Sequence, residues 1–96
     1  MLKAMAAVQV LNNSRITGLA HDVAGSVQAR GWRVVLIGNL EGLIAETTVY
    51  YAPGHHAAAV HLAHEFPEIR RIEPNSAAGL DGSGITLVLT RDWVGE

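Results

Sequence analysis

Histidine is the first candidate for chemistry in this sequence. Four histidines, His55, His56, His61 and His64, crowd one stretch, and His21 stands apart. On a helix, His61 and His64 are i, i+3 neighbours, so both imidazoles could reach one metal ion. A zinc site needs three or four ligands. Glu65 and Glu68 do not clearly share that face, and no HExxH pattern is present. The competing assignment is a solvated polar helix face that uses histidine, and the sequence implies no metal or other cofactor.

Nucleophilic catalysis finds less support. There is no cysteine and no G-x-S-x-G elbow. A Ser83–His21–Asp22 set can be written down, but no spacing argues for it. Gly38-Asn39-Leu40-Glu41-Gly42 follows an apolar run and invites a phosphate-loop reading. It is neither a Walker A loop nor a GxGxxG motif, and no helical pattern follows. Asp81-Gly82-Ser83-Gly84 resembles a fragment of a calcium loop without the EF-hand spacing or its terminal Glu. Both segments read as turns, and no catalytic residue is assigned.

The composition narrows the field further. The 96 residues are 49% hydrophobic and 17% charged, which suits one packed domain and not a disordered chain. Seven Lys and Arg against nine Asp and Glu give a formal charge of -2. That balance has no electrostatic footprint for nucleic acid. Unbroken apolar runs such as Met5–Val8 and Val34–Ile37 fall far short of the roughly 18 residues that span a bilayer. The opening MLKAMAAVQV is too short for a secretory signal.

The elements that must position these residues follow from periodicity. Ala6–Asn12 reads as a strand in which Val8 and Val10 alternate with Gln9. Asn12, Asn13 and Ser14 are cap candidates for the helix that follows. Ile16, Leu19, Ala20, Val23 and Val27 lie on one face of that helix. Arg30 complements the dipole in its last turn, and Gly31 suits the position after its end. Trp32–Gly38 is a second strand, and the unbroken Val34-Val35-Leu36-Ile37 predicts burial on both faces or a place in the sheet centre. Leu40–Glu46 reads as a loop and Thr47–Ala52 as a third strand. The second helix runs from about His55 to Phe66, with Ala58, Ala59, Leu62, Ala63 and Phe66 on its apolar face. Ile69–Glu73 suits a short edge strand, Pro74–Gly84 a loop, and Ile85–Thr90 the last strand.

The order β-α-β-β-α-(β)-β predicts an α/β, two-layer sandwich. Its mixed sheet carries two helices on one face, in a split-βαβ or ferredoxin-like plan, with the first two strands parallel. Tyr50 and Tyr51 are adjacent in a strand and point to opposite faces. One enters the helix-side core; the other lies on the uncovered face with Gln9, Thr86 and Val88. That face is either a binding or dimerisation surface or a solvated one. Trp93 is placed to pack back over an end of the sheet.

Taken together, these residues resemble the LytR C-terminal domain family of cell-envelope modules, found chiefly in actinobacteria. The likeness begins with Val8-Gln9-Val10-Leu11-Asn12-Asn13-Ser14 and Gly18-Leu19-Ala20. It continues through Gly31-Trp32-Arg33-Val34, Gly38-Asn39, Thr48-Val49-Tyr50-Tyr51, Pro53-Gly54, Ala58 and Leu62-Ala63. Ile85-Thr86-Leu87-Val88-Leu89 and Asp92-Trp93 complete it. Asn13 stands where the family usually has Gly, and Thr90 where Gly is common, so the departures fall at turns.

The resemblance implies a non-catalytic, extracytoplasmic module that supports cell-wall integrity. Peptidoglycan or another wall glycan, or envelope-assembly proteins, would be its partners. A membrane association would come only through an N-terminal anchor absent from this sequence, so residues 1–96 are expected to be one domain excised from a longer tethered protein. In some relatives the module follows a LytR–CpsA–Psr catalytic domain, whose residues are not found in this sequence. Asn12, Ser14, Asn39 and Tyr50 are the ligand-contact candidates: amides and hydroxyls bond sugar hydroxyls, and a ring stacks on an apolar sugar face. The alternatives are an interaction domain forming homo- or hetero-oligomers through the sheet face or an edge strand, and a metal-dependent enzyme centred on His61 and His64.

Overall fold

The computed structural model describes residues 6–95. The opening Met1–Met5 segment, including the start of the Met5–Val8 run and the stretch weighed as a signal, lies outside them. Five strands form one sheet: β1 (Ala7–Asn12), β2 (Arg33–Asn39), β3 (Thr48–Tyr51), β4 (Arg71–Pro74) and β5 (Ile85–Leu89). Helix α1 (Leu19–Ala29) links β1 to β2, and α2 (His56–Glu65) links β3 to β4. Short 3-10 helices span Asn75–Ala78, within the predicted Pro74–Gly84 loop, and Arg91–Val94.

The strand order is β2-β1-β5-β3-β4. Strand β1 is parallel to both β2 and β5, β3 is parallel to β4, and β3 runs antiparallel to β5. The molecule therefore consists of two β-α-β units with β5 between them. This is the expected mixed sheet with two helices on one face. It departs from a split-βαβ plan in one respect, because β1 pairs directly with β2, and β5 separates the two units instead of dividing either.

One core cluster joins both helices to the same sheet face. Val8, Val10, Val49, Ile85, Leu87 and Leu89 meet Leu19, Ala20, Val23, Ala24 and Val27 of α1 and Ala58, Ala59 and Leu62 of α2. The abundance of Ala and Val lets the helices approach the sheet closely. Between strands β5 and β1 the backbones come close at Gly84: a Cβ there would stand 2.1 Å from the Ala7 carbonyl oxygen. Phe66 and Trp93 lie with ring centroids 5.9 Å apart, so Trp93 does pack back on the core.

Three expectations need correction. Helix α1 starts later than the Asn12–Ser14 signals imply. Its N-cap is Gly18, at φ 82, with no side-chain cap. The run Val34–Ile37 is not central, because β2 is an edge strand; Val35, Leu36 and Ile37 are 48, 49 and 42% exposed. A run without alternation fits any strand with little polar character, and sheet order is decided by distant segments. The second sheet face is not open either. Leu40, Ile44, Ala78 and Leu80 pack over Leu11, Tyr50 and Val88.

Candidate functional site

The site is built at the end of the sheet where β1, β2 and β5 finish and β3 begins. Ligands in open α/β sheets bind outside the carboxyl ends of strands, where connections leave a strand in opposite directions. Strand β1 ends here between the carboxyl ends of its parallel neighbours β2 and β5.

Asn12 ends β1 and organises the turn that follows. Its Oδ1 accepts from the Ser14 N–H at 2.9 Å and from the Ser14 hydroxyl. Its Nδ2 donates to the Ile16 carbonyl at 2.9 Å. The Ser14 Oγ in turn accepts from the Ile16 N–H at 3.0 Å, and Ser14 is buried. Asn and Ser side chains form such local bonds readily, which is why the same residues read as helix caps. Here they stabilise a turn before the helix.

Asn13 extends the network outward. Its N–H donates to the Leu89 carbonyl at 2.8 Å. Its Nδ2 donates to the carbonyls of Leu40 at 2.7 Å and Gly42 at 3.1 Å, and so clips the loop after β2 onto the end of β1. Asn39 closes β2 opposite Asn12 and is exposed.

Asn12, Asn13, Arg15 and Asn39 line one cleft with the loop Leu40–Leu43. Asn13, Ser14 and Arg15 also line an adjoining cleft with Ile44, Ala45, Thr90, Arg91 and Asp92. Arg15 thus borders both. It is exposed, at φ 66, the one described non-glycine residue in the left-handed region. That conformation costs an L-residue about 1–2 kcal/mol. Among the described residues it has no ion-pair partner.

The floor of the second cleft is a carboxylate held in place by threonines. Asp92 accepts from the Thr47 N–H at 3.1 Å and from the Thr47 and Thr90 hydroxyls. Arg70 stands 3.7 Å away. Burial works to raise the Asp92 pKa, but the Thr47 and Thr90 hydroxyls, the Thr47 amide and Arg70 together hold it below the usual carboxylate value. Nothing local in the sequence signals this pairing, because Thr47 and Asp92 are 45 residues apart.

Of the four contact candidates, Asn12, Ser14 and Asn39 converge on this end. The first two are occupied by each other, so they shape the turn, and Asn39 is the one that faces outward. Tyr50 does not join them. It lies on the predicted face, opposite Thr86, but is 6% exposed beneath the covering loops, so it offers no ring for stacking. Arg15, Asn13 and Asp92 are the residues that sequence reasoning missed.

Four of the five histidines lie on α2 or at its N-cap. His61 is half-buried. Its ring meets Trp32 edge-on at 5.5 Å and its Nε2 lies 3.1 Å from Glu65, whose other oxygen accepts from the Trp32 indole N–H at 2.9 Å. His61 is thus a packing residue at the α2 surface and not part of a freely solvated face. Among the described residues, no group of three or more His, Cys, Asp or Glu side chains is placed to hold a metal. No described helix is long and apolar enough to cross a membrane.

The family model described as LytR cell envelope-related transcriptional attenuator matches residues 6–93. The solution structure of the C-terminal domain of RV0431 is 30% identical, with a TM-score of 0.63 over 88% of this chain and 71% of that one. The crystal structure of the soluble domain (residues 71–217) of a conserved hypothetical secreted protein from Mycobacterium marinum, the Rv2700 ortholog, has a TM-score of 0.72. It is 22% identical over 95% of this chain and 62% of that one, a likeness of fold. No curated protein matches the chain.

Proposed function

Because this chain belongs to the LytR C-terminal domain family, we propose that it is a non-catalytic, extracytoplasmic module of the cell envelope that binds wall glycan at the β1–β2 end of its sheet. In the longer protein an upstream membrane anchor would hold it at the wall. The observation that carries this reading is the position of Arg15 and Asn39 on one rim. An outward amide suits sugar hydroxyls, and an Arg with no ion-pair partner among the described residues suits the carboxylates or phosphates that wall polymers bear. The retained backbone strain at Arg15 also supports it, since such outliers cluster where a side chain is held for a task. Asn12, Asn13 and Ser14 position the rim without touching the ligand.

Co-sedimentation with purified cell wall tests the proposal. The folded domain is expected to pellet with peptidoglycan, and Arg15→Ala and Asn39→Ala to release most of it to the supernatant. If the wild-type domain stays in the supernatant at micromolar concentration, glycan binding falls, and scaffolding of envelope-assembly proteins replaces it.

A further inference from the structure

The two edges of the sheet are treated differently, and this points to a second surface. Strand β4 is a blunted edge. It has four residues, ends in Pro74, and carries Arg71, whose Nε lies 3.5 Å from Glu46. Short length, proline and charge are the usual means by which proteins keep an edge from pairing. Strand β2 has seven residues, RVVLIGN, with no charge between Arg33 and Asn39. Among the described residues no strand pairs with its outer side. Val35, Leu36 and Ile37 are each nearly half exposed.

A bulge blunts part of this edge. Val34 stands opposite Val8 and Leu36 opposite Gln9, so Val35 is the extra residue. From Leu36 to Asn39 the register is regular, and that stretch remains open to a partner. Since Leu36 and Ile37 point to opposite faces of the sheet, an added strand would gain apolar contact on both.

We infer that the occupant is a second copy of this chain, paired antiparallel through β2 to β2. Charge selects it. Arg33 precedes the apolar stretch and Glu41 follows it; both are exposed, and neither has an ion-pair partner among the described residues. Antiparallel pairing carries the Arg33 end of one copy to the Asn39–Glu41 end of the other, twice by symmetry. Parallel pairing would bring Arg33 to Arg33. Because β4 is blunted, each chain offers one open edge, so association closes at two and does not propagate as a fibre. The surface meets the rim at Asn39 and Glu41, but its apolar stretch, Leu36–Gly38, lies outside it, and the inference does not require that the rim bind glycan.

Analytical ultracentrifugation of the untagged domain from micromolar to millimolar concentration tests it. The expected result is a reversible shift toward twice the 10.2 kDa monomer mass. Leu36→Lys, at an exposed position, is expected to raise the dissociation constant by at least about tenfold, because each substitution is counted twice across the axis. Arg33→Glu should weaken the dimer, and Arg33→Glu combined with Glu41→Arg should restore it. Amide hydrogen exchange at Leu36–Gly38 should slow as concentration rises, while amides of β4 should not change. A monomer at every concentration overturns the inference. So does a dimer that Leu36→Lys leaves intact, or one whose concentration-dependent protection falls elsewhere.

Discussion

The two β-α-β units solve the same problem, turning a chain from strand into helix, with different materials. Between β3 and α2 the turn is short and backbone-bonded: the His55 N–H donates to the Ala52 carbonyl, and Gly54 supplies φ 86. Between β1 and α1 the turn is longer and runs on side chains, with Asn12, Asn13 and Ser14 bonding backbone groups of the turn and of the loop after β2. Neither helix has a side-chain cap. The comparison separates polar residues that a fold requires from polar residues that a surface offers. The second junction shows that this topology can be made without them; the first places Arg15 and Asn39 beside a network that keeps them in position.

The largest effect is expected at the seam between the units, where β5 lies beside β1. Gly84→Ala would put a methyl group against the Ala7 backbone, at a separation no strand pair tolerates. Destabilisation of about 3 kcal/mol or more is expected, seen as loss of the cooperative unfolding transition in urea. If the variant folds normally, the two units are less tightly joined than their register implies.

At the first junction, Asn12→Ala removes three hydrogen bonds and leaves the buried Ser14 hydroxyl without its acceptor. A loss of about 2–3 kcal/mol is expected in chemical denaturation. A change within about 0.5 kcal/mol would put the junction in the class of ordinary surface sites and erase the contrast with the second one.

Much of this was legible in the sequence, and the failures share a cause. The buried face of α1 follows from the spacing of Leu19, Ala20, Val23 and Val27, and α2 stops at Glu65, with Phe66 as its C-cap just before Pro67, a residue that disfavours helix in the one preceding it. Those are local properties. The edge position of Val34–Ile37 is not, because it depends on β5 entering between β1 and β3, some fifty residues later. Asn12, Asn13 and Ser14 were legible as polar turn residues but not as a network, since cap and turn use the same chemistry. The alternation of Tyr50 and Tyr51 is local too, but not which face each takes, nor the burial of Tyr50, which depends on the loop residues Leu40 and Ile44 and on Ala78 and Leu80.

Asp92 ties the second unit to the end of β5 and gives the third effect. Its folded pKa lies below the usual carboxylate value, so its contribution is present above the unfolded pKa of about 3.9 and lost as pH falls through the folded value. Asp92→Asn keeps the shape but loses charge-assisted acceptance from Thr47 and Thr90. The partly solvated carboxylate suggests a cost of about 1–2 kcal/mol at pH 7. In thermal unfolding the gap between wild type and variant should narrow as pH drops from 7 toward 3. A constant gap would mean that packing, not charge, holds Thr47 against Thr90.

The smallest effect on stability bears most directly on function. Arg15 holds a left-handed backbone in a junction that has glycine at Gly18 but not here. Arg15→Gly relieves that strain, while the added freedom of the unfolded chain takes back part of the gain. A net stabilisation of about 0.5–1 kcal/mol is expected, with a higher Tm. The same substitution removes the cation from the rim, so wall binding should fall as it does in Arg15→Ala. A variant that is more stable and binds less would identify Arg15 as a residue kept for its side chain at the fold's expense. If stability rises and wall binding is unchanged, the rim is not the contact surface, and the polar first junction is an alternative way of making the turn that the second makes with Gly54.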